Sequence, residues 1–479
     1  MKTRQDKEII TQFIIYLQSH FTTSMLKQYT KEFKQNLHIA TPVMLGFLGH
    51  VFVGLADNIF VGKLDPINLA AVSLANSAIF FIMAFGIGFS YAITPLVSES
   101  VGANKHYRLQ KVLYNGLLLN TVLGVLMALL SLFVPEILAI ADQPPEVIAL
   151  AVPYVRIVGV SLLFVMIFQA FKQFSDGMAL TTYPMIATVI ANVINIYLSY
   201  GMVFGHFGFK KMGIYGAAYG TLIARIITVI ALWIALKYFS KTAVYFKKLG
   251  IHLISKPVIN RLLYLGIPSA FQGVFEMGIF AATVWIAGTL GAINQSANQI
   301  AQQLASLTFM VFIGFGVAAT VRVGNEKGRK DFREMKRIAK SIFLQVFIFE
   351  LIFTAILIIF RHQLPWIYLS KEYDDPIKMA EAEKVYQLSV QLLIVAGLFQ
   401  ISDGFQVVLQ GALRGLQDVI YPFFITLIAY WFIGFPMSLY LSKTIGVMGI
   451  WYGLLTGLTS AAIMLFFRFK YLSKKLINN

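Results

Sequence analysis

The 479-residue sequence contains no cysteine and little charge. The lack of cysteine excludes disulfides, thiol nucleophiles and cysteine-based metal sites. Only 13% of the residues are charged, against roughly 25% in soluble domains, while 58% are hydrophobic. Because a globular core cannot absorb that much apolar surface, we expect lipid to be the main solvent. The first residues also lack a short apolar core followed by small residues, so we expect no cleavable signal peptide.

Motifs of common catalytic sites are also missing. The seven histidines are scattered, and none begins an HExxH or HxxxD motif. No GxxxxGK followed by Ser or Thr occurs, which argues against ATP hydrolysis by this chain. A membrane acyl or glycosyl transferase would need such a constellation near one membrane face. We therefore expect no enzymatic activity and no cofactor.

Twelve apolar runs are long enough to cross a membrane. A spanning helix needs about 20 mostly apolar residues, whereas a membrane strand needs about 10 of alternating polarity. The runs are too long and too rarely alternating for strands, so we predict an all-α membrane protein with twelve transmembrane helices. Numbered as spans 1 to 12, they cover residues 37–61, 68–97, 111–134, 149–173, 184–205, 215–239, 262–289, 295–321, 341–360, 386–413, 420–442 and 449–468.

The basic residues predict the orientation of the spans. A net charge of +17 would suggest nucleic acid in a soluble protein, but here Lys and Arg lie between apolar runs. With the N-terminus in the cytoplasm, 29 of them fall on the cytoplasmic side and 8 on the outer side. This bias predicts a multi-pass protein of the inner (cytoplasmic) membrane with both termini in the cytoplasm. We expect contact with membrane lipid and no binding of nucleic acid.

Residues 1–36 form a basic arm before span 1. Five apolar residues of this arm fall on one helical face: Ile9, Ile10, Phe13, Ile14 and Leu17. The arm is therefore either an interfacial amphipathic helix or a solvated tail, and the sequence leaves both interpretations open.

The two halves of the chain repeat each other. Ordered identities lie on one slowly drifting diagonal, which is much stronger evidence than any single match. The offset is 226 residues for Pro42 and Pro268, Gly88 and Gly314, and Gly102 and Gly328, and it is 238 residues for Tyr183-Pro184 and Tyr421-Pro422.

The repeat predicts two pseudo-symmetric six-helix bundles. We name them the N-lobe (37–239) and the C-lobe (262–468), joined by a basic cytoplasmic linker (240–261) and followed by a cytoplasmic tail (469–479). Because six is even, both lobes start from the same side of the membrane, so the repeats are parallel and related by an axis along the membrane normal. Two such lobes suit alternating access around a central site.

Several ionisable side chains interrupt the apolar spans. Each costs about 2.5–3.5 kcal/mol on insertion scales, so such residues are functional candidates. The clearest are Asp57 in span 1, Glu276 in span 7 and Asp403 in span 10. Glu350 in span 9 is equally consistent with a structural partner and with transport, and Arg225 in span 6 favours a structural role.

Helical spacing places further polar residues beside these carboxylates. His50 shares a face with Asp57, Gln272 with Glu276, Gln406 with Asp403, and Asn195 with Ser199. Such stripes predict one polar pocket per lobe that could bind Na+ or H+, because hard oxygen ligands suit a small cation and a buried carboxylate can carry a proton. The alternative is hydrogen bonding between helices that serves packing alone.

Six segments carry a resemblance to a known family. The chain resembles the multidrug and toxic compound extrusion family, in particular its NorM-type branch, over about residues 37–468. The segments are GLADNIFVG (54–62), PLVSESVGA (95–103), NVINIYLSYGMVFG (192–205), FEMGIF (275–280), RVGNEKG (322–328) and QGALRGLQD (410–418).

The resemblance implies a V-shaped pair of bundles that exports amphipathic, mostly cationic drugs in exchange for Na+ or H+. It implies cation binding at Asp57, Asn195 and Ser199 in the N-lobe, and at Glu276 and Asp403, the second-lobe pair that would hold Na+, in the C-lobe. Many relatives carry Asn or Asp where Ser199 stands. Substrate contacts are expected at four positions: His50, Gln272, Phe399 and Gln406. His50 is also the repeat counterpart of Glu276, which suggests that it tunes the Asp57 pocket.

Two other transport functions compete with drug export. A lipid-linked oligosaccharide flippase would need several arginines for a pyrophosphate, whereas only Arg156 and Arg225 lie within spans. A narrow-substrate metabolite exporter is the second. We expect small organic cations as substrates and a monomeric protein. The sequence does not choose between Na+ and H+, or between the lobes as the coupling site.

Overall fold

A computed structural model describes residues 23–134, 144–247, 250–370 and 375–478 of the chain. Within these ranges the regular structure is helical and contains no strand. Twelve helices there are long and apolar enough to span a membrane, which confirms the predicted all-α fold. The spans keep their numbers below.

The helices extend beyond several of the predicted runs. Three spans are interrupted: spans 2 and 4 each consist of two helices, and span 11 contains a π-helical turn. The bounds are Thr23–Gly62, Pro66–Ser90 with Ile93–Gly102, His106–Ser131, Pro145–Val160 with Leu162–Gly177, Thr182–Phe204, Ile214–Tyr238, Lys256–Thr289, Ala292–Arg329, Phe332–Ile359, Pro376–Gly415, Ile420–Leu427 with Ile428–Gly434 and Phe435–Ile445, and Val447–Asn478.

The segments outside the predicted lobes are also mostly helical. Residues 23–36 of the basic arm continue span 1 backwards, while the apolar face at residues 9–17 lies outside the described residues. The linker forms two short 3-10 turns, Lys241–Phe246 and Ile251–Leu253, before span 7 begins at Lys256. Residues 469–478 of the tail prolong span 12. We call the end of the molecule that carries the linker the linker end.

The lobes meet at the linker end through glycines that the repeat relates. A methyl group added to Gly88 would lie 2.8 Å from Ala270 Cα, and one added to Gly314 would lie 2.6 Å from Met44 Cγ. Met44 and Ala270 are themselves 226 residues apart. The two contacts are therefore equivalent under a pseudo-two-fold axis. The helices can pack this closely because glycine has no side chain.

A second pair of glycines repeats this arrangement nearer the linker. A methyl group at Gly102 would lie 1.9 Å from the carbonyl oxygen of Asn325, and one at Gly328 would lie 2.1 Å from that of Glu99. Glu99 and Asn325 also share the offset of 226. Backbone thus touches backbone in both directions, and a side chain at either glycine must push the lobes apart.

Charged residues reinforce the same end. Glu32 is 5% exposed and accepts hydrogen bonds from Arg322 and, at 2.9 Å, from Arg337, which ties span 1 to spans 8 and 9. The Glu99 carboxylate pairs with Arg108 at 2.9 Å and with Lys327 of span 8 at 3.3 Å. Glu32 and Glu99, two carboxylates of the N-terminal half, are therefore paired with cations of the C-terminal half.

We expect Gly102→Ala to open the linker end. The added methyl group collides with backbone and cannot be relieved by a side-chain rotation. Because the chain has no cysteine, Ser98→Cys provides a clean probe: Ser98 is buried beside Gly324 of span 8. Maleimide labelling of this cysteine should become several-fold faster in the Gly102→Ala background.

Gly54→Ala is the matched control, because a methyl group there meets nothing within 4 Å. Equal labelling rates in the two backgrounds would show that the glycine contact does not hold the lobes together.

Candidate functional site

The N-lobe pocket forms around the carboxylate of Asp57. Asp57 is half-buried on span 1, and its Oδ1 atom is buried without a hydrogen-bond partner among the described residues. Ser199 of span 5 and Thr221 of span 6 lie beside the carboxylate, and Arg225 of span 6 is its charged neighbour. The sequence favoured a structural role for Arg225, but the structure places it in the same pocket as Asp57.

The position of Arg225 depends on the interruption of span 4. Its Nη1 atom donates a hydrogen bond of 2.5 Å to the hydroxyl oxygen of Ser161, the residue between the two helices of that span. The phenol of Tyr154, which lies on the first helix of span 4, is also close to Asp57 and Arg225. The pocket therefore contains one carboxylate and one guanidinium, and their charges balance.

Of the other predicted site residues of the N-lobe, two are buried and one is exposed. Asn195 is 2% exposed and Ser199 is fully buried, and each has an oxygen without a hydrogen-bond partner within the described ranges. Ser199 also packs against Gly220, so spans 5 and 6 lie close together at the pocket. His50 is exposed, one residue from Gly49, which contacts Asn192 of span 5.

The C-lobe pocket gathers the other predicted residues from spans 7 and 10. Asp403 is 2% exposed, and Glu276 is half-buried and acts on Asp403 electrostatically. Gln272 and Gln406 are also buried. In the described part of the chain, each of the four has a buried side-chain polar atom without a hydrogen-bond partner: Gln272 Nε2, Glu276 Oε1, Asp403 Oδ1, and both amide atoms of Gln406.

A third carboxylate lies next to this group. Glu350 of span 9 is fully buried, and Asp403 is its charged neighbour. Sequence reasoning left Glu350 undecided because the distance between spans 9 and 10 at this depth is a tertiary property. The structure brings the carboxylates of Glu276, Asp403 and Glu350 into one region of the C-lobe.

The π-helical turn of span 11 adds a residue that sequence analysis missed. Tyr430 lies in this turn, is 1% exposed and neighbours Glu276, Asp403 and Gln406. Its hydroxyl has no hydrogen-bond partner within the described residues. π-turns often occur at functional sites because they redirect side chains. A tyrosine inside an apolar run carries no sequence signal for this placement.

Phe399, expected to contact substrate, is part of the packing behind the pocket. It is 1% exposed, and its ring lies 6.1 Å from that of Phe280 and 5.6 Å from that of Trp451. Trp451 in turn donates a hydrogen bond of 3.0 Å to Asn298. In this conformation Phe399 supports the helix turn that presents Asp403.

Among the described residues, Arg414 is the cation that opposes the three carboxylates of the C-lobe pocket. Arg414 acts on Glu276 electrostatically, and its guanidinium lies 4.5 Å from the ring centre of Tyr91 in the other lobe. The C-lobe pocket thus has an excess of negative charge, in contrast to the balanced N-lobe pocket. Within the described residues no three His, Asp or Glu side chains are close enough to hold a metal ion by themselves. Amide and hydroxyl oxygens would have to complete any cation site.

Comparison with known proteins places the chain in a family. The MatE family model matches residues 42–201 and 268–440, the two halves in turn. The chain belongs to the MatE family. It is 31% identical over 449 residues to "Probable multidrug resistance protein NorM" of Rhizobium meliloti, covering 91% of this chain and 93% of that one. It is 30% identical over 464 residues to "Multidrug resistance protein NorM" of Vibrio cholerae, and the match covers 94% of this chain and 98% of that one.

Solved MATE structures share the fold. The eukaryotic MATE transporter AtDTX14 superposes with a TM-score of 0.82 at 20% identity, covering 94% of this chain and 99% of that one. An outward-facing multidrug resistance MATE transporter superposes with a TM-score of 0.81 at 20% identity, covering 93% of this chain and 96% of that one. The expected resemblance is confirmed, and membership in a transporter family excludes the membrane-enzyme alternative.

We expect Asp57 and Arg225 to stabilise this MatE protein as a charge-balanced unit. Asp57→Asn should lower the melting temperature by several degrees, because it leaves Arg225 buried without a counter-charge. The double variant Asp57→Asn/Arg225→Met should be destabilised by much less than the two single variants together. The difference, which is the coupling free energy between the two residues, should be about 1 kcal/mol or more. Thermal unfolding of the detergent-purified variants measures this.

Arg156→Met is the control, since Arg156 is exposed on span 4. Combined with Asp57→Asn, it should behave additively. Additive behaviour of Arg225→Met as well would contradict the charge-balanced pocket.

Proposed function

We propose that the protein is a cation-coupled antiporter that exports amphipathic, mostly cationic organic compounds by alternating access. The observation that supports this most is the C-lobe pocket. It holds three carboxylates against one guanidinium, and several of its buried oxygens have no protein partner in the described residues. Buried charge of one sign needs a counter-ion. A cation that enters from outside supplies it.

The C-lobe, rather than the N-lobe, is the coupling site in this proposal. In the N-lobe the guanidinium of Arg225 already acts on Asp57. In the C-lobe Arg414 acts on Glu276, whereas the charge that acts on Asp403 is the like charge of Glu276. Carbonyl, carboxylate and hydroxyl oxygens from Gln406, Asp403 and Tyr430 converge there. Such hard ligands favour Na+, because a proton needs a single carboxylate oxygen.

The names of the relatives support drugs as the exported class. The matched proteins of Rhizobium meliloti and Vibrio cholerae are multidrug resistance proteins by name. Three arginines within the spans are engaged separately: Arg156 is exposed, Arg225 binds Ser161, and Arg414 acts on Glu276. This disfavours a flippase for a pyrophosphate-linked lipid and favours cationic substrates.

The packing at the linker end supports alternating access. Positive residues assign this end to the cytoplasm of the inner membrane, with both termini there. The glycine contacts and the Glu32 and Glu99 ion pairs close that side, so the proposed cycle assigns this conformation to the state that is closed to the cytoplasm. Cation binding at Glu276 and Asp403 shifts the equilibrium only through its different affinity for the two states. One chain contains both lobes, so a monomer suffices.

Ethidium efflux under imposed gradients tests the proposal. Cells or vesicles with wild-type protein should extrude dye when an inward Na+ gradient is applied. Glu276→Gln and Asp403→Asn should reduce this efflux to background, because each removes a ligand charge of the coupling cation. Asp57→Asn should retain the gradient dependence once efflux is normalised to the amount of protein.

Glu381→Gln, an exposed residue near the start of span 10, is the control and should leave efflux unchanged. Efflux driven by a pH gradient alone would name H+ as the coupling ion. Loss of coupling in Asp57→Asn, with full coupling in the C-lobe variants, would move the site to the N-lobe. Absence of dye movement under either gradient would overturn the proposed function.

A further inference from the structure

An open groove lies between the two lobes near the linker end, outside both candidate pockets. Its volume is about 910 Å³, and its lining comes from span 1, span 8 and the connection between spans 4 and 5 with the start of span 5. Spans 1 and 5 belong to the N-lobe and span 8 to the C-lobe, so both lobes line the groove. None of the residues proposed for cation or drug binding is in the lining. The proposed antiport therefore does not account for it.

The polarity of the groove changes in the same direction along both of its helical walls. On span 1 the lining begins with Lys34 at the linker end and reaches Leu45, about 16 Å further along the helix. Span 8 runs the opposite way, and its lining passes from Arg329 at the linker end to Val321 at greater depth. Both walls are therefore basic where they meet the membrane surface and apolar further in.

Cations outnumber carboxylates in the lining. The cations are Lys34, Arg322 and Arg329, and the carboxylate is Glu326. Arg322 pairs with Glu32, whereas Glu326 is buried and pairs with Arg329 at 3.0 Å. The side chain of Arg329 is nevertheless 59% exposed, and Lys34 is exposed as well. The groove thus presents positive charge at its mouth, which disfavours an organic cation and suits an anion.

The internal repeat shows that the fold does not by itself require this groove. Gln417 is the repeat counterpart of Ala179, and Arg261 is the counterpart of Gln35. The two connections have the same backbone conformation, with φ of 59° at Ala179 and 61° at Gln417. Arg261 donates hydrogen bonds of 3.0 and 2.9 Å to the side-chain oxygen of Gln417 and bridges its seam. Ala179 has no polar side chain for such a bridge, and Gln35 accepts from Arg322 instead.

We propose that this groove binds one anionic phospholipid of the cytoplasmic leaflet. Its phosphate would lie near Lys34 and Arg329, and an acyl chain would follow the apolar walls toward Leu45. Basic pockets between spanning helices on the cytoplasmic side suit acidic head groups. Leu45 is 48% exposed, which fits contact with an acyl chain. Residues 1–22 of the chain are a poorer match for the groove, because they carry three basic and two acidic side chains.

Native mass spectrometry of the detergent-purified, full-length protein tests the site. Titration with dioleoyl phosphatidylglycerol and, separately, with dioleoyl phosphatidylcholine compares an acidic with a zwitterionic head group on the same acyl chains. The wild type should bind the first phosphatidylglycerol several-fold more tightly than phosphatidylcholine. Lys34→Gln/Arg329→Gln should weaken phosphatidylglycerol binding by about tenfold, because each nearby cation attracts the acidic lipid. Binding of phosphatidylcholine should not change.

Two further double variants separate the groove from the basic surface in general. Lys474→Gln/Lys475→Gln is the matched control, because it removes two charges from exposed residues at the end of span 12, outside the groove. It should bind phosphatidylglycerol as the wild type does. Lys34→Arg/Arg329→Lys keeps both charges in the groove and should keep the preference for the acidic lipid.

The isolated head group distinguishes a lipid site from a phosphate site. Glycerophosphoglycerol has the same phosphate without acyl chains, so it should bind at least several-fold more weakly than phosphatidylglycerol. Equal affinity for the two would overturn the inference in favour of a soluble phosphate compound.

The remaining outcomes also decide the inference. Selective loss of phosphatidylglycerol binding in Lys34→Gln/Arg329→Gln supports it. Equal binding of the two lipids by the wild type would overturn it, and so would an equal loss in the groove variant and the span 12 control. Because no outcome depends on ion coupling or dye efflux, failure here would leave the proposed antiport untouched.

Discussion

The structure depends on one constraint: a polar group inside an apolar span must find its partner within the protein, because lipid offers none. Most buried groups here obey it locally, since serine and threonine hydroxyls donate to carbonyl oxygens one turn back, as Ser269 does to Leu265. The carboxylates cannot be satisfied in that way. They need donors or cations from other helices, and the two pockets differ in how far the protein supplies these partners.

The two lobes have one architecture and two electrostatic outcomes. Pseudo-two-fold contacts such as Gly88 on Ala270 and Gly314 on Met44 show how closely the halves correspond. Span 4 is nevertheless interrupted at Ser161, which binds Arg225, whereas its counterpart, span 10, is continuous. Span 11 in turn contains the π-helical turn at Tyr430, and its counterpart, span 5, is a regular helix. On this shared scaffold, Arg225 balances Asp57 in one pocket, whereas Glu276, Asp403 and Glu350 outnumber Arg414 in the other.

In the proposed transport cycle, closure of the linker end and the charge of the C-lobe pocket are complementary. Ion pairs such as Glu32 with Arg337 hold one end together, yet they lie where water can reach them when the lobes separate, so they can be broken and remade. The carboxylates deeper in the membrane have no such solvent. In the proposed antiport, a cation bound to these carboxylates changes the energy of one state relative to the other, and this is the differential binding that alternating access requires.

The sequence by itself determined the element type, the twelve spans, the duplication and most of the residues that line the two candidate pockets. Long apolar runs allow few other structures in lipid, and a carboxylate such as Asp57 or Asp403 within a run is conspicuous at the level of composition. Helical spacing also grouped Gln272 with Glu276 correctly on one face. Only the tertiary structure decided which charges meet. It placed Arg225 beside Asp57, brought Glu350 to Asp403 and turned Tyr430 inward, because distances between spans far apart in the chain follow from glycine contacts and helix interruptions that periodicity does not encode.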